Sequence, residues 1–295
     1  MPAYAFVTLD VFTNDRFGGN PLAVFTDARG LTGAQMQSLA TEMNLSETTF
    51  ILPPEDPAHT ARVRIFNVTA EMPFAGHPSV GTGFVLAQAG RAKDGRLTLE
   101  VPAGLVEVTI TTDANGAATG GVIAAPRALV TGASLTVEAA AACAGLDPAD
   151  IVTTGHAPVE ASLGVPFFFA EVKPEALGRA SPDLAAFRRA AGGRADMNAR
   201  LSLHLYVREG SKLRARMFGP LSGVYEDPAT GSANATLAAL LLSLGDEDSA
   251  EFDITQGVEM GRPSRLHATA RRAEDGIRAT IGGGCVMVMK GEATV

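Results

Sequence analysis

The sequence predicts an α+β protein made of two similar lobes, each a curved sheet around one central apolar helix. Three observations predict it. Strand-like alternation recurs along the whole chain, from residues 6–12 near the start to 276–281 near the end. Two helical stretches, 78–89 and 233–244, are apolar on nearly every side, as helices buried all round are. The motif E-x-P-x-x-G stands at Glu71 to Gly76 and again at Glu226 to Gly231, an offset of 155 residues, and each copy runs straight into one of those helices.

Taken in order, strands are expected over 6–12, 48–52, 61–66, 96–101 and 105–111. In the second half they are expected over 167–172, 201–207, 213–218 and 276–281. The offset of 155 also lays strand 46–52 on 201–207 and Phe12 on Phe167. Residues 32–44 read as a helix with both ends marked: Thr32 can N-cap, and Asn44 suits a left-handed C-terminal position. The apolar helices close at Gly90 and Gly245. Residues 134–144 and 183–191 read as ordinary surface helices, and the Gly/Ala-rich 115–121 as a loop near a domain boundary. The 32 glycines in 295 residues are an excess over the usual ~7%, and without a period they signal many tight turns. A plainer account of the repeat, two glycine turns that each precede a helix, stays open at this level.

Composition removes several function classes. With 46% hydrophobic and 19% charged residues the chain is globular, and at roughly 150 residues per domain its length suggests two domains. The net charge is −8 and the basic residues are scattered, which leaves no footprint for nucleic acid. No run of ~18 apolar residues predicts a membrane span. The first residues alternate like a strand and reach an acid at Asp10, unlike an export signal. Cys143 and Cys285 share no motif and read as two buried structural thiols in a reducing cytosol. The five histidines have no metal-ligand spacing, so no metal site is expected.

The two glycine turns are where chemistry can gather. A glycine at a helix N-terminus exposes backbone N–H groups, and the helix dipole adds partial positive charge. Such an end takes a carboxylate or phosphate. Two of them across a cleft can hold a small carboxylate and steady a developing enolate. Gly76 with His77, and Gly231 with Ser232 and Ala233, are the candidate donors. His77 is followed by Pro78, which suits a first helical turn, and so stands at the mouth of its helix. A lone histidine is more often structural; this position favours a role in the site. Glu47 is a carboxylate just ahead of an apolar strand, between Ser46 and Thr48. As an exposed loop acid it would do nothing; facing a closed apolar cleft it would be driven towards the range of a proton shuttle. Asp227, before Pro228, is the other acid beside a helix entrance, and is either a solvated turn residue or a ligand for a substrate ammonium or hydroxyl.

These residues resemble the phenazine-biosynthesis isomerase family, called PhzF-like, of the diaminopimelate epimerase-like fold. The resemblance covers essentially the whole chain. It is carried by Leu9-Asp10-Val11-Phe12-Thr13, Gly19-Asn20-Pro21-Leu22-Ala23-Val24, Leu45-Ser46-Glu47-Thr48-Thr49-Phe50 and Phe66-Asn67-Val68-Thr69-Ala70-Glu71. Its strongest pieces are Phe74-Ala75-Gly76-His77-Pro78-Ser79-Val80-Gly81 and Glu226-Asp227-Pro228-Ala229-Thr230-Gly231-Ser232-Ala233, with Gln256-Gly257 and Gly261-Arg262-Pro263-Ser264 behind them. It implies two lobes of mixed, barrel-like sheet with the site in the cleft between them: residues 1–117, to which 283–295 return, and residues 118–282. It also implies cofactor-free proton-shift chemistry. Glu47 would be general acid and base, His77 and Asp227 would flank the polar groups of a cyclohexadiene-type amino acid, and Gly231 and Ser232 would hold its carboxylate. A homodimer is implied too, and the stretch from Ala124 to Arg200 carries no motif that names a substrate.

The expected function is therefore a cofactor-independent isomerase or epimerase that moves a proton on a small carboxylate. A non-catalytic metabolite-binding protein that keeps the cleft is the alternative. Related racemases use a cysteine in each glycine turn, and neither turn here has one. A serine hydrolase at Ser232 lacks G-x-S-x-G, and no P-loop motif is present.

Overall fold

The computed structural model describes residues 2–192 and 201–295; residues 193–200, at the end of the stretch without a motif, lie outside the described residues. The chain divides into two units: Met1–Ala124 with Gly282–Val295, and Ala125–Ile281.

In the first unit, β1 (Ala3–Val11) and β2 (Asn20–Phe25) pair antiparallel. The chain then crosses over through α1 (Gly33–Met43) to β3 (Glu47–Leu52), which pairs parallel with β2, because a parallel neighbour cannot be reached by a hairpin. Both expected ends of α1 are present. Thr32 and Gln35 form a capping box, and Asn44 sits left-handed at φ 50°. Next come β4 (Ala61–Phe66), the short β5 (Glu71–Met72), α2 (Gly76–Gln88), β6 (Arg96–Val101), β7 (Gly104–Thr112) and β8 (Ala118–Ala124). β4 pairs antiparallel with β3 and parallel with β6, and β6, β7 and β8 form an antiparallel meander. The C-terminal part of the last strand, β18 (Gly276–Thr294), pairs with both β1 and β8 and closes the ring. The result is an eight-stranded barrel with α2 as its filling, buried from Gly76 to Leu86. On the outside, α1 covers β2 and β3 through Met36 and Ala40 against Phe25, Phe50 and Leu52.

The second unit repeats this order. After β9 (Val130–Ser134) come α3 (Val137–Ala144), β10 (Ile151–Val152), β11 (Val159–Ser162), β12 (Pro166–Val172), α4 (Pro174–Leu177) and α5 (Leu184–Ala191). Then follow β13 (Leu203–Glu209), β14 (Lys212–Gly219), β15 (Val224–Asp227), α6 (Gly231–Ser243), β16 (Ser249–Gln256) and β17 (Ser264–Ala273). The sheet runs β9, β11, β12, β13, β14, β16, β17, with parallel pairs at β12–β13 and β14–β16 where the first unit has β2–β3 and β4–β6. The short β15 lies antiparallel on β14 as β5 lies on β4. α6 is the buried central helix. The pseudo-repeat is thus a repeat of topology. No helix among the described residues is long and apolar enough to cross a membrane.

The glutamate that opens E-x-P-x-x-G does the same work in both copies. Glu71 on β5 clamps Arg64 of β4 through two hydrogen bonds, 2.7 and 2.6 Å. Glu226 on β15 clamps Arg216 of β14 through two of 2.8 Å. Each guanidinium also lies over a phenylalanine two residues on, Phe66 at 5.1 Å and Phe218 at 4.9 Å. These fork-to-fork pairs pin the short strand that leads into each central helix.

Two expectations need correction. The stretch 115–121 is a tight turn followed by β8, not a loop throughout, although the division between the two units does follow closely at Ala124. Its Gly120 is there for close approach to β18, since a Cβ would fall 2.1 Å from the Gly283 carbonyl oxygen. The helix expected over 134–144 starts at Val137, because Thr136 caps it by accepting from the Ala139 N–H and Ser134 still belongs to β9.

Candidate active site

Strand alternation places Glu47, Thr49 and Ile51 on one face of β3, while Phe50 and Leu52 face α1 on the other. The first face meets α2. Thr49 and Thr82 share a hydroxyl hydrogen bond of 2.9 Å. Two residues back along β3 is a step of roughly 6.6 Å, and five residues back along α2 roughly 7.5 Å. Strand and helix run side by side, so Glu47 arrives at His77 in the first turn of α2. The His77 Nδ1 lies 3.0 Å from Glu47 Oε2, with the side chains 5% and 17% exposed. Glu47 Oε2 and His77 Nε2 are both buried, and neither has a partner in good hydrogen-bond geometry. Buried polar atoms left this way cost about 1–3 kcal/mol each and ask for a functional explanation.

The α2 entrance itself is bare. Gly76 is the first helical residue, and the N-cap residue, Ala75, has no side chain with which to cap. Pro78 is third in the helix rather than first. It still lies where the N–H has no intrahelical acceptor, so it costs no hydrogen bond.

In the second unit Asp227 ends β15 and is buried. Its Oδ2 accepts from the Thr230 hydroxyl at 2.6 Å. Thr230 is the N-cap residue of α6, but its side chain is turned to Asp227 and does not cap the helix. Gly231, Ser232 and Ala233 therefore open α6 as Gly76 and His77 open α2. Gly231 and Ala233 are buried, and Ser232 is partly exposed.

The late motif holds this turn in place. Gln256 donates to the Asp227 carbonyl at 2.7 Å and accepts from the Thr230 N–H at 3.2 Å. Ser264 donates to the Pro228 carbonyl at 2.8 Å. Gly257, at φ +75°, passes so close that a Cβ would lie 2.5 Å from the Pro228 oxygen. Behind Gln256 stand Asn234 of α6 and His204 of β13, both fully buried. Neither belongs to a motif. The available signal was a single polar residue inside an apolar run, Asn234 in a helix of Ala and Leu and His204 in Leu-Ser-Leu-His-Leu.

The structure thus brings Glu47 to His77 within the first unit, and gathers Asp227, Thr230 and the Gly231–Ser232 entrance within the second. The cysteines are elsewhere, Cys143 on α3 and Cys285 on β18, both buried and free. Burial drives the Cys143 thiol up to about 11 and the Cys285 thiol higher still. Burial favours the neutral thiol at both positions.

Comparison with known proteins gives these arrangements a family. Residues 9–291 match the family described as phenazine biosynthesis-like protein. The chain is 39% identical over 270 residues to an uncharacterized isomerase of Mesorhizobium japonicum, covering 88% of each. It is 36% identical over 291 residues to the trans-2,3-dihydro-3-hydroxyanthranilate isomerase of Pseudomonas chlororaphis, covering 97% of this chain and 98% of that one. The fold matches a PhzF family protein of Bacillus anthracis at a TM-score of 0.88, with 24% identity and full coverage of both chains. The chain belongs to the phenazine biosynthesis-like protein family and is an isomerase.

Proposed function

We propose that the protein shifts a proton along a small carboxylate substrate, with Glu47 as the group that takes the proton and returns it. The observation that carries this is the buried Glu47–His77 contact of 3.0 Å at an uncapped helix entrance. A carboxylate beside an imidazole, largely shielded from bulk water, can take a proton from one carbon of a substrate and return one to another. His77 orients that carboxylate and can share its proton. Asp227 receives a substrate ammonium or hydroxyl, and the Gly231 and Ser232 amides hold the substrate carboxylate. Gly76 and Ala233 shape the two entrances.

The repeat is symmetric in topology and asymmetric in chemistry, which supports a shift over a racemisation. By the 155-residue offset the counterparts of Glu47 and His77 are Ser202 and Ser232. Racemisation at one carbon needs a base on each face. One carboxylate that removes and returns a proton on the same face suits movement of a double bond. The relatives named for trans-2,3-dihydro-3-hydroxyanthranilate make that cyclic amino acid the first substrate to try.

The test is Glu47→Gln, assayed in heavy water with that compound. The variant should fold normally and lose about 10²–10⁴-fold in turnover and in deuterium uptake, the usual worth of a positioned acid/base. Unchanged exchange would overturn the assignment. Tight binding without turnover or exchange in the wild-type protein would show a metabolite-binding protein instead.

A further inference from the structure

Four side chains in the second unit form a hydrogen-bonded line that runs in one direction. The Asn234 amide donates to Gln256 Oε1 at 2.7 Å and to the Thr230 carbonyl at 3.1 Å. Its Oδ1 is therefore an acceptor, and it faces His204 Nε2 at 3.1 Å. Only the tautomer with the proton on Nε2 can make that bond. Gln256 has its oxygen taken up by Asn234 and by the Thr230 N–H, so its amide points the other way. It donates to the Asp227 carbonyl at 2.7 Å and to Thr230 Oγ1 at 3.2 Å. The Thr230 hydroxyl, accepting from Gln256, donates in turn to Asp227 Oδ2 at 2.6 Å. Every side-chain donor along the line points from His204 towards the carboxylate.

The far end is consistent with this direction. His204 is fully buried, its ring edge-on to Phe169 at 5.5 Å, and its Nδ1 has no partner. A bare ring nitrogen leaves a lone pair unmet, whereas the other tautomer would leave a buried N–H unmet and also take the donor from Asn234. Burial holds the ring neutral, with its pKa down at about 4. Serial hydrogen bonds of one sense polarise one another, and breaking any member weakens the rest.

We propose that His204, Asn234, Gln256 and Thr230 are positioning residues that act as one unit to aim the Asp227 carboxylate and hold the Gly231 entrance in its substrate-binding shape. This rests on the reading of Asp227 and Gly231 as substrate contacts. None of the four needs to touch the substrate. The carboxylate is the point at which the line delivers its effect, and the turn Asp227 to Gly231 is tied to it through backbone groups at both Asp227 and Thr230.

The test pairs a spectroscopic arm with a kinetic one. Two-bond proton–nitrogen NMR on histidine-labelled protein should show one imidazole, lost in His204→Gln, with its proton on Nε2 and a bare Nδ1 at neutral pH. A proton on Nδ1, or on both nitrogens, would overturn the proposal. In the kinetic arm Thr230→Val, which keeps shape and loses the hydroxyl, should raise KM for trans-2,3-dihydro-3-hydroxyanthranilate at least tenfold with kcat within about threefold. Thr230→Ser should restore the wild-type value to within about twofold. Gln256→Met should match Thr230→Val, and the double variant should be no worse than either single one, because the members act together. Additive losses, or KM unmoved while the thermal midpoint falls, would reduce the line to a structural feature. If wild-type protein leaves the substrate unchanged, the proton-shift reading fails by itself. The tautomer and the additivity of the thermal midpoints in the same variants then still decide whether the line is one unit.

Discussion

The two glutamate clamps provide an internal control, because the same motif position is half-buried in one unit and exposed in the other. Consider Glu226→Ala against Glu71→Ala. Arg216 and Glu226 are 7% and 15% exposed, and Arg216 also donates to the Leu177 and Ala180 carbonyls, so its guanidinium cannot swing out to water. Removing one partner of a buried pair costs about 3–5 kcal/mol. Glu259, whose Oε2 lies 4.0 Å from Arg216 Nε, remains as a weaker partner and sets the loss near the lower end, about 3 kcal/mol. Arg64 and Glu71 are 27% and 33% exposed, and a guanidinium freed there can hydrate, so about 1 kcal/mol is expected. The gap of about 2 kcal/mol is roughly a thirtyfold difference in the unfolding equilibrium. Urea unfolding followed by far-ultraviolet circular dichroism measures it as the shift in each unit's transition. Adding Arg216→Met to Glu226→Ala should recover most of the loss, since the orphaned charge is then gone. Equal losses in the two single variants, or no recovery in the double one, would refute the account of burial.

His204 gives a signed pH dependence. Its pKa is lowered to about 4 in the folded chain against an ordinary 6.5, so between those values the unfolded chain binds a proton that the folded chain does not, and stability falls as pH falls. Unfolding at pH 7 and pH 5 should differ by about 2 kcal/mol from this group, and His204→Gln should remove that share of the slope. The thiols make a simpler case: with both pushed above their usual range by burial, a disulfide reagent at pH 8 should read none in native protein and two after denaturation. Rapid native labelling would contradict the packing around Cys143 and Cys285.

Much of the architecture was legible because it is written in local pattern. The ends of α1 follow from Thr32 and Asn44, which act on their own neighbours. The central helices follow from runs with no polar face, although both start earlier than expected, since Gly76 and Gly231 are their first residues and not the turn before them. The reading does not single out β2, where Pro21 sits inside the strand, and it takes Gly120 and Gly121 for a loop because a glycine that serves close approach looks like one that serves a turn. At the site, Glu47 and His77 are each marked by a motif, but their contact depends on two residues of strand and five of helix covering nearly the same distance. The line behind Asp227 was the least legible. Gln256, Asn234 and His204 come from three elements, and only the fold brings them into order.

β18 begins in the second unit and finishes in the first. The first unit therefore cannot complete its ring until Gly282–Val295 have been made, although the rest of it comes first off the ribosome. Until then β1 and β8 lack the strand that joins them and present unpaired edges. The second unit, continuous from Ala125 to Ile281, has all its strands before the first can close. Synthesis thus reverses the usual order of N-terminal first, and a chain cut short before Gly282 would lack one stave of the barrel that carries Glu47 and His77.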